Sequence, residues 1–384
     1  MRHTMSVIDL FAGAGGFTLG FIKNNETNNR FYFNVVLLAD IDQAAVFTFK
    51  KNYPSIPYWN TDLSQTNGND ICKIADIKPG KLDFLIGGPP CQGFSPNGKR
   101  WLEDNRNLLM HRYIEIALQI QPKCIIIENV PAALSAMQKM LNSEIQEALS
   151  NYFVKTSILN ASAYGVPQIR KRAFIVAFRS DLGIKQFNFP KGIFDSINNS
   201  NIINEKEKIN IKYISVEDAI GDLPSIIAGQ SIDGLIYDSN PFSKYQKERR
   251  IGSIGIFNHV ARAHSREFLS KISIFKPGQG NNDLANDQKL SSSYFSQAYA
   301  RLHPKGIGFT ITANFRNPGS GRFTHYRDNR SITVREAARL QSFDDRYIFH
   351  GYDSDQERHV GNAVPPILAK ALAHHFGNIL IDAN

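Results

Sequence analysis

The chain has 384 residues, of which 42% are hydrophobic and 21% charged, and a formal net charge of +9. Those values suit a soluble globular protein with room for one large and one smaller domain, and no apolar run reaches the length of a membrane span. The cysteines are Cys72, Cys91 and Cys124, with no two at ligand spacing, which excludes a disulfide framework and a cysteine-based zinc site.

No signal-peptide pattern follows Met1, so the expected compartment is the reducing cytoplasm. The basic balance suits a polyanionic partner without proving one. In chain order, apolar runs predict strands over Ser6–Phe11, Val35–Ala39, Leu82–Ile86, Cys124–Ile127, Val154–Leu159 and Phe174–Phe178. Helical patterns over Asp42–Asn52, Leu108–Ile120 and Leu134–Ser150 lie between them. This alternation argues for an α/β domain with a mostly parallel sheet covered on both faces. Beyond Arg179 the chain becomes rich in Asn, Ile, Lys and Ser, then in turn residues with scattered Lys and Arg. That stretch predicts a second, irregular, partly β domain. Helical pattern resumes at Ser331–Phe343 and Pro365–Phe376, so the last helix is expected to return to the first domain.

The turn after the first strand reads Asp9-Leu10-Phe11-Ala12-Gly13-Ala14-Gly15-Gly16-Phe17. Glycines there let backbone approach a ligand, although many such loops only make a tight turn. Asp40 closes the second strand, where a carboxylate can accept the hydroxyls of a ribose. Asp42 reads instead as a helix N-cap, and Asp62 is placed to meet an adenine amino group. The adjacent Gly15-Gly16 depart from the dinucleotide fingerprint, which favours a phosphate-free nucleoside such as S-adenosylmethionine. Cys91 follows the third strand on a Pro89-Pro90 lead-in, at the sheet edge where chemistry collects. Alone, it reads more readily as a small buried hydrophobe. In the middle stretch, His259 and His264 have no carboxylate or cysteine at ligand spacing and read as structural, so no metal is expected.

Taken as an ordered series, these motifs resemble the cytosine-C5 DNA methyltransferases. Asp9–Gly16 is similar to the family's cofactor loop and Pro89-Pro90-Cys91-Gln92 to its nucleophile motif. Glu128-Asn129-Val130 resembles its ENV motif, and Gln168-Ile169-Arg170-Lys171-Arg172 its Gln-x-Arg-x-Arg motif. Thr333–Gln341 resembles the helix that supports target recognition, and Gly361–Pro366 the closing cofactor motif.

The resemblance implies a Rossmann-like, S-adenosylmethionine-dependent methyltransferase domain over residues 1–180, completed by 355–384. A target-recognition domain would cover 181–330, with a supporting hinge over 331–354. Cys91 would be the nucleophile and Glu128 the acid at the base, with Arg172 orienting both and Arg170 alongside. Phe11, Gly13, Gly15, Asp40, Ile41, Asp62, Pro90, Leu109, Asn362 and Val364 would hold the cofactor, leaving S-adenosylhomocysteine as product. Gln92, Ser95, Lys99 and Arg100 would lie on a loop closing over double-stranded DNA, with the target base flipped out. Arg249, Arg250, Arg316, Arg322, Arg327 and Arg330 are candidates for phosphate or guanine contacts. The expected protein is a cytoplasmic monomer, nucleoid-associated in action, free of membrane, and partnered functionally by a cognate restriction endonuclease. A tRNA cytosine methyltransferase and a catalytically inactive DNA-binding partner are the alternatives, and a nucleotide-dependent oxidoreductase rests on the glycine loop alone.

Overall fold

The structure, a computed structural model, describes residues 2–90, 108–134, 149–194, 213–284 and 297–383. The chain divides into two compact units. The first comprises Met1–Asn160, Lys171–Lys191 and Pro366–Asn384; the second comprises Ala161–Arg170 and Gly192–Pro365. Residues 161–170 and 355–365, expected with the catalytic domain, thus belong to the second unit, and 181–191 stay with the first.

The first unit carries seven strands: β1 (His3–Leu10), β2 (Phe31–Asp40), β3 (Tyr58–Asn60), β4 (Phe84–Gly87), β5 (Cys124–Asn129), β6 (Tyr152–Asn160) and β7 (Lys171–Arg179). They form one sheet in the order β3-β2-β1-β4-β5-β7-β6. The first five run parallel, whereas β7 is antiparallel to both β5 and β6. β4 and β5 are buried throughout, as apolar strands covered on both faces must be. Chain order reverses between β1 and β4, and in open α/β sheets ligands bind at the carboxyl ends of strands at such a reversal.

Among the described residues five helices cover the sheet: α1 (Gly16–Asn25), α2 (Gln43–Asn52), α3 (Gly68–Ile74), α4 (Leu108–Ile120) and, here named α10, Pro366–Asp382. Alternate strand residues supply two cores. Ile8, Leu10, Leu85, Ile125 and Ile175 pack with Ile71 of α3 and Tyr113, Ile116 and Ile120 of α4. An aromatic layer forms elsewhere, in which Phe17 and Phe21 of α1 meet Phe174, Phe33 and Phe84, and Phe376 of α10 meets Phe178. Asp42 caps α2, its side chain accepting the amides of Ala44 and Ala45, as its position predicts. The expected helix Leu134–Ser150 lies largely outside the described residues.

In the second unit α5 (Val216–Ile220), α6 (Lys244–Arg250), α7 (Arg266–Ser273), α8 (Val334–Leu340) and α9 (Asp353–Asn362) are joined by turns. The expected β content reduces, among the described residues, to isolated bridges such as Ser231 with Val260 and Leu235 with Ile256. Every residue of α8 is buried, including Arg335, Glu336 and Arg339. Thr333 and Glu336 form a capping box at its start. Arg339 bonds to Asp345 through Nε and Nη2, both at 2.6 Å, and to Asp222 at 3.1 Å, while Arg330 reaches Glu336 at 2.7 Å. Buried charge of this kind is tolerated only where it is paired and hydrogen-bonded.

Candidate active site

At the carboxyl edge of β1 and β2, the glycine loop is held by side chains. Gly13 donates its amide to Asp40 Oδ2 at 2.8 Å, and Asp42 donates to Asp40 Oδ1 at the same distance. Each Asp40 oxygen therefore keeps a lone pair for a ligand hydroxyl. Burial pushes the Asp40 carboxyl above its ordinary range, although these amides pull the other way. Among the described residues, nothing lies within 4 Å of where a Cβ would stand on Gly13. Gly15 has a φ of +74°, and a Cβ there would strike the Phe49 ring.

Asp9, on the last turn of β1 before this loop, is buried and accepts the Thr18 hydroxyl at 2.6 Å. Burial pushes its carboxyl up to about 7, despite hydrogen bonds from the Thr18 hydroxyl and amide. Thr18 is the third residue of α1, whose N-cap, Gly15, offers no side chain. Asp9 thus ties the end of β1 to the first turn of α1 through that hydroxyl.

The remaining expected cofactor residues of the first unit sit around this edge. Ile41 is 67% exposed directly after Asp40, and Phe11 is half-buried with its ring 6.4 Å from that of Tyr113. Asp62 is exposed, accepts the Ser64 amide, and lines a groove of about 590 Å³ with Trp59, Thr66 and Ile74. Pro90 and Leu109 are half-buried. In the second unit Asn362 is exposed at the end of α9 and Val364 is buried.

The edge formed by β4, β5 and β7 carries the expected chemistry. Arg172 Nε stands 2.9 Å from Glu128 Oε1, a charge contact whose N–H is not aligned as a hydrogen bond. A Cβ on Gly88 would lie 3.3 Å from Glu128 Oε2, a close contact to which the carboxylate would have to yield by a few tenths of an ångström. Next along, Asn129 donates Nδ2 to the Pro89 carbonyl at 3.1 Å and accepts the Val130 amide. The ends of β4 and β5 are pinned together two residues before Cys91. Cys91, Gln92, Ser95, Lys99 and Arg100 lie outside the described residues.

Other expected site residues have partners inside the second unit. β7 starts at Lys171, so Arg170, expected alongside Arg172, precedes the strand that carries it. Its buried guanidinium donates to the Ile311 and Gly361 carbonyls, both at 2.9 Å. Gln168 is likewise buried against Leu340, Gln341 and Ile311. The expected DNA-contacting arginines are also engaged internally. Arg249 is buried against Ser342 and Asp344, and Arg250 pairs with Asp222 and lies over the Tyr237 ring. Arg316 is buried with Asp353 and Glu357, while Arg322 binds Gln297 and the Gly278 carbonyl. Arg330 is fully buried; Arg327 alone of this set is substantially exposed. Guanidinium groups satisfied inside the fold are not offered to phosphate in this conformation. Residues 262, 266 and 305, all basic, are exposed in the same unit. His259 bonds Thr333 and the Pro224 carbonyl, and His264 bonds Ser331, as structural histidines do. Sequence reasoning missed Tyr58, and it named Asn129 and Asp9 within motifs without the contacts to Pro89 and Thr18 that fix them.

Comparison with known proteins finds relatives along nearly the whole chain. Residues 5–378 match the family model described as C-5 cytosine-specific DNA methylase. The chain is 34% identical to the Type II methyltransferase M.DdeI of Desulfomicrobium norvegicum, covering 99% of this chain and 92% of that protein. Identity is 33% to the Type II methyltransferase M1.HphI of Haemophilus parahaemolyticus, over 96% and 86% of the two chains. A solved protein encoded within an E. coli prophage, assigned as a DNA modification methyltransferase, superposes with a TM-score of 0.74 at 27% identity, covering 98% of this chain and 99% of that one. Among the described residues no helix is long and apolar enough to cross a membrane.

Proposed function

This chain belongs to the C-5 cytosine-specific DNA methylases, and on that premise we propose that it methylates C5 of a flipped-out cytosine in a specific duplex sequence, using S-adenosylmethionine and a covalent Cys91–C6 adduct. The proposed setting is that of the Type II relatives: protection of DNA against a cognate endonuclease.

The observation that carries the reading is the Glu128–Arg172 pair, held beside Gly88 at the strand end that leads to Cys91. C5 of cytosine is too weak a nucleophile to attack a sulfonium methyl unaided. Addition of the Cys91 thiolate at C6 makes the ring an enamine with an electron-rich C5, and charge builds towards N3. Glu128 is placed to share a proton there, with Arg172 fixing its carboxyl. Loss of the C5 proton after methylation lets the thiolate leave.

S-adenosylmethionine, when bound, supplies the methyl group. On this chain the ribose falls to Asp40, the adenine to Ile41 and Asp62, and the loop to Phe11, Gly13 and Gly15. The half-buried Asp40 carboxyl beside that loop suits a ligand that offers hydroxyls rather than a pyrophosphate.

The test is incubation with 5-fluorocytosine duplexes of varied sequence and S-adenosylmethionine, followed by mass spectrometry. Fluorine cannot leave as a proton does, so the enzyme should stay attached through Cys91. Cys91→Ser should form no adduct yet keep DNA affinity. An adduct at another residue would refute the mechanism; adducts only with tRNA would refute the substrate.

A further inference from the structure

We propose that Tyr58 is a positioning residue for the cofactor loop, clamping with Asp40 both backbone groups of Gly13. The inference rests on the reading that this loop receives S-adenosylmethionine. Phe11, Gly13 and Gly15 have φ of 57°, 52° and 74°, so three of five consecutive residues are left-handed, one of them a phenylalanine. A non-glycine residue in that region is strained and persists only where its surroundings enforce it.

Four bonds enforce it. Two are backbone: Ala12 N–H to the Ala39 carbonyl at 3.2 Å, and Gly15 N–H to the Ala12 carbonyl at 2.9 Å. The others come from side chains on two different strands and meet on one residue. Asp40 accepts the Gly13 amide at 2.8 Å, and the Tyr58 hydroxyl donates to the Gly13 carbonyl at 2.6 Å.

Tyr58 is itself immobilised. It is buried on β3, which pairs with β2, and its ring lies edge-on to Phe49 at 5.6 Å. Phe49 in turn fills the space beside Gly15 that a side chain would need. One buried tyrosine therefore ties the loop tip to the packing beneath its second glycine. A buried phenol requires an acceptor, and here the acceptor is the loop itself. A loop already in its binding shape spares the ligand the cost of ordering it.

Tyr58→Phe keeps the ring and removes the hydroxyl. The expected result is a rise of about fivefold in KM for S-adenosylmethionine and in Kd for S-adenosylhomocysteine, the equivalent of one net hydrogen bond. kcat at saturating cofactor and affinity for duplex DNA should stay within about twofold, and amide exchange over residues 11–16 should accelerate. Unchanged S-adenosylhomocysteine affinity in Tyr58→Phe would overturn the clamp, as would a joint fall in kcat, DNA affinity and Tm. A wild-type protein that binds no S-adenosylhomocysteine would instead overturn the cofactor reading, with faster exchange in the variant still reporting the bond.

Discussion

Arg172 and Glu128 meet at 2.9 Å because β7 runs antiparallel beside β5. Glu128 is opposite Phe174, and Arg172, two residues away on the same face, is its diagonal neighbour. A parallel β7 would enter this edge from the other end and bring Arg179 there instead.

Glu128→Gln removes the proton donor while keeping shape, and should lower kcat by about 10²–10⁴-fold, the usual range for a general acid. Binding of S-adenosylhomocysteine should not change. Single-turnover methylation of a duplex containing the site measures both, and an unchanged rate would remove Glu128 from the mechanism.

Asn129→Ala frees the Pro89 carbonyl and loosens the lead-in to Cys91. A misplacement of about 1 Å costs up to about 100-fold in rate, so the adduct should form about 10- to 100-fold more slowly. Cofactor affinity should hold. The rate of covalent capture by 5-fluorocytosine DNA is the readout.

Asp9 makes stability depend on pH. Its native carboxyl titrates near 7 against an ordinary 3.8, so the folded state holds a proton the unfolded state lacks between those values. The contribution is full below about pH 4 and is lost as pH rises through about 7, up to roughly 4 kcal/mol in all. Asp9→Asn should therefore gain on the wild type as pH rises from 5 to 8. Urea unfolding at the two pH values would show it; a constant difference would contradict it.

Arg339→Met leaves Asp345 and Asp222 without their shared buried partner. Breaking a buried pair from one side costs about 3–5 kcal/mol, enough to lower Tm by several degrees or unfold the second unit. Adding Asp345→Asn should recover part of the loss, and thermal unfolding of single and double variants measures the recovery.

Much of this was legible in the chain. Apolar runs placed β1, β2, β4 and β5 to within a few residues, since a buried parallel strand must be apolar on both faces. The direction of β7 was not legible, because Lys171–Arg179 has the same pattern read either way. β3 is only Tyr58–Asn60, too short to show a period, and Tyr58 went unnoticed with it. The arginines of the middle stretch misled for a different reason. Composition reports that a guanidinium is present, whereas its partners (Asp222 for Arg250, Asp353 for Arg316) lie 28 and 37 positions away in sequence.

The packing of α10 on α1 has a consequence for biosynthesis. Gly20 on α1 lies flush against Ala369, so α1 is sealed by a helix synthesised about 350 residues later. Until residues 366–382 emerge, the apolar flank of α1 has no cover, and the nascent sheet must be shielded by chaperones or wait partly open.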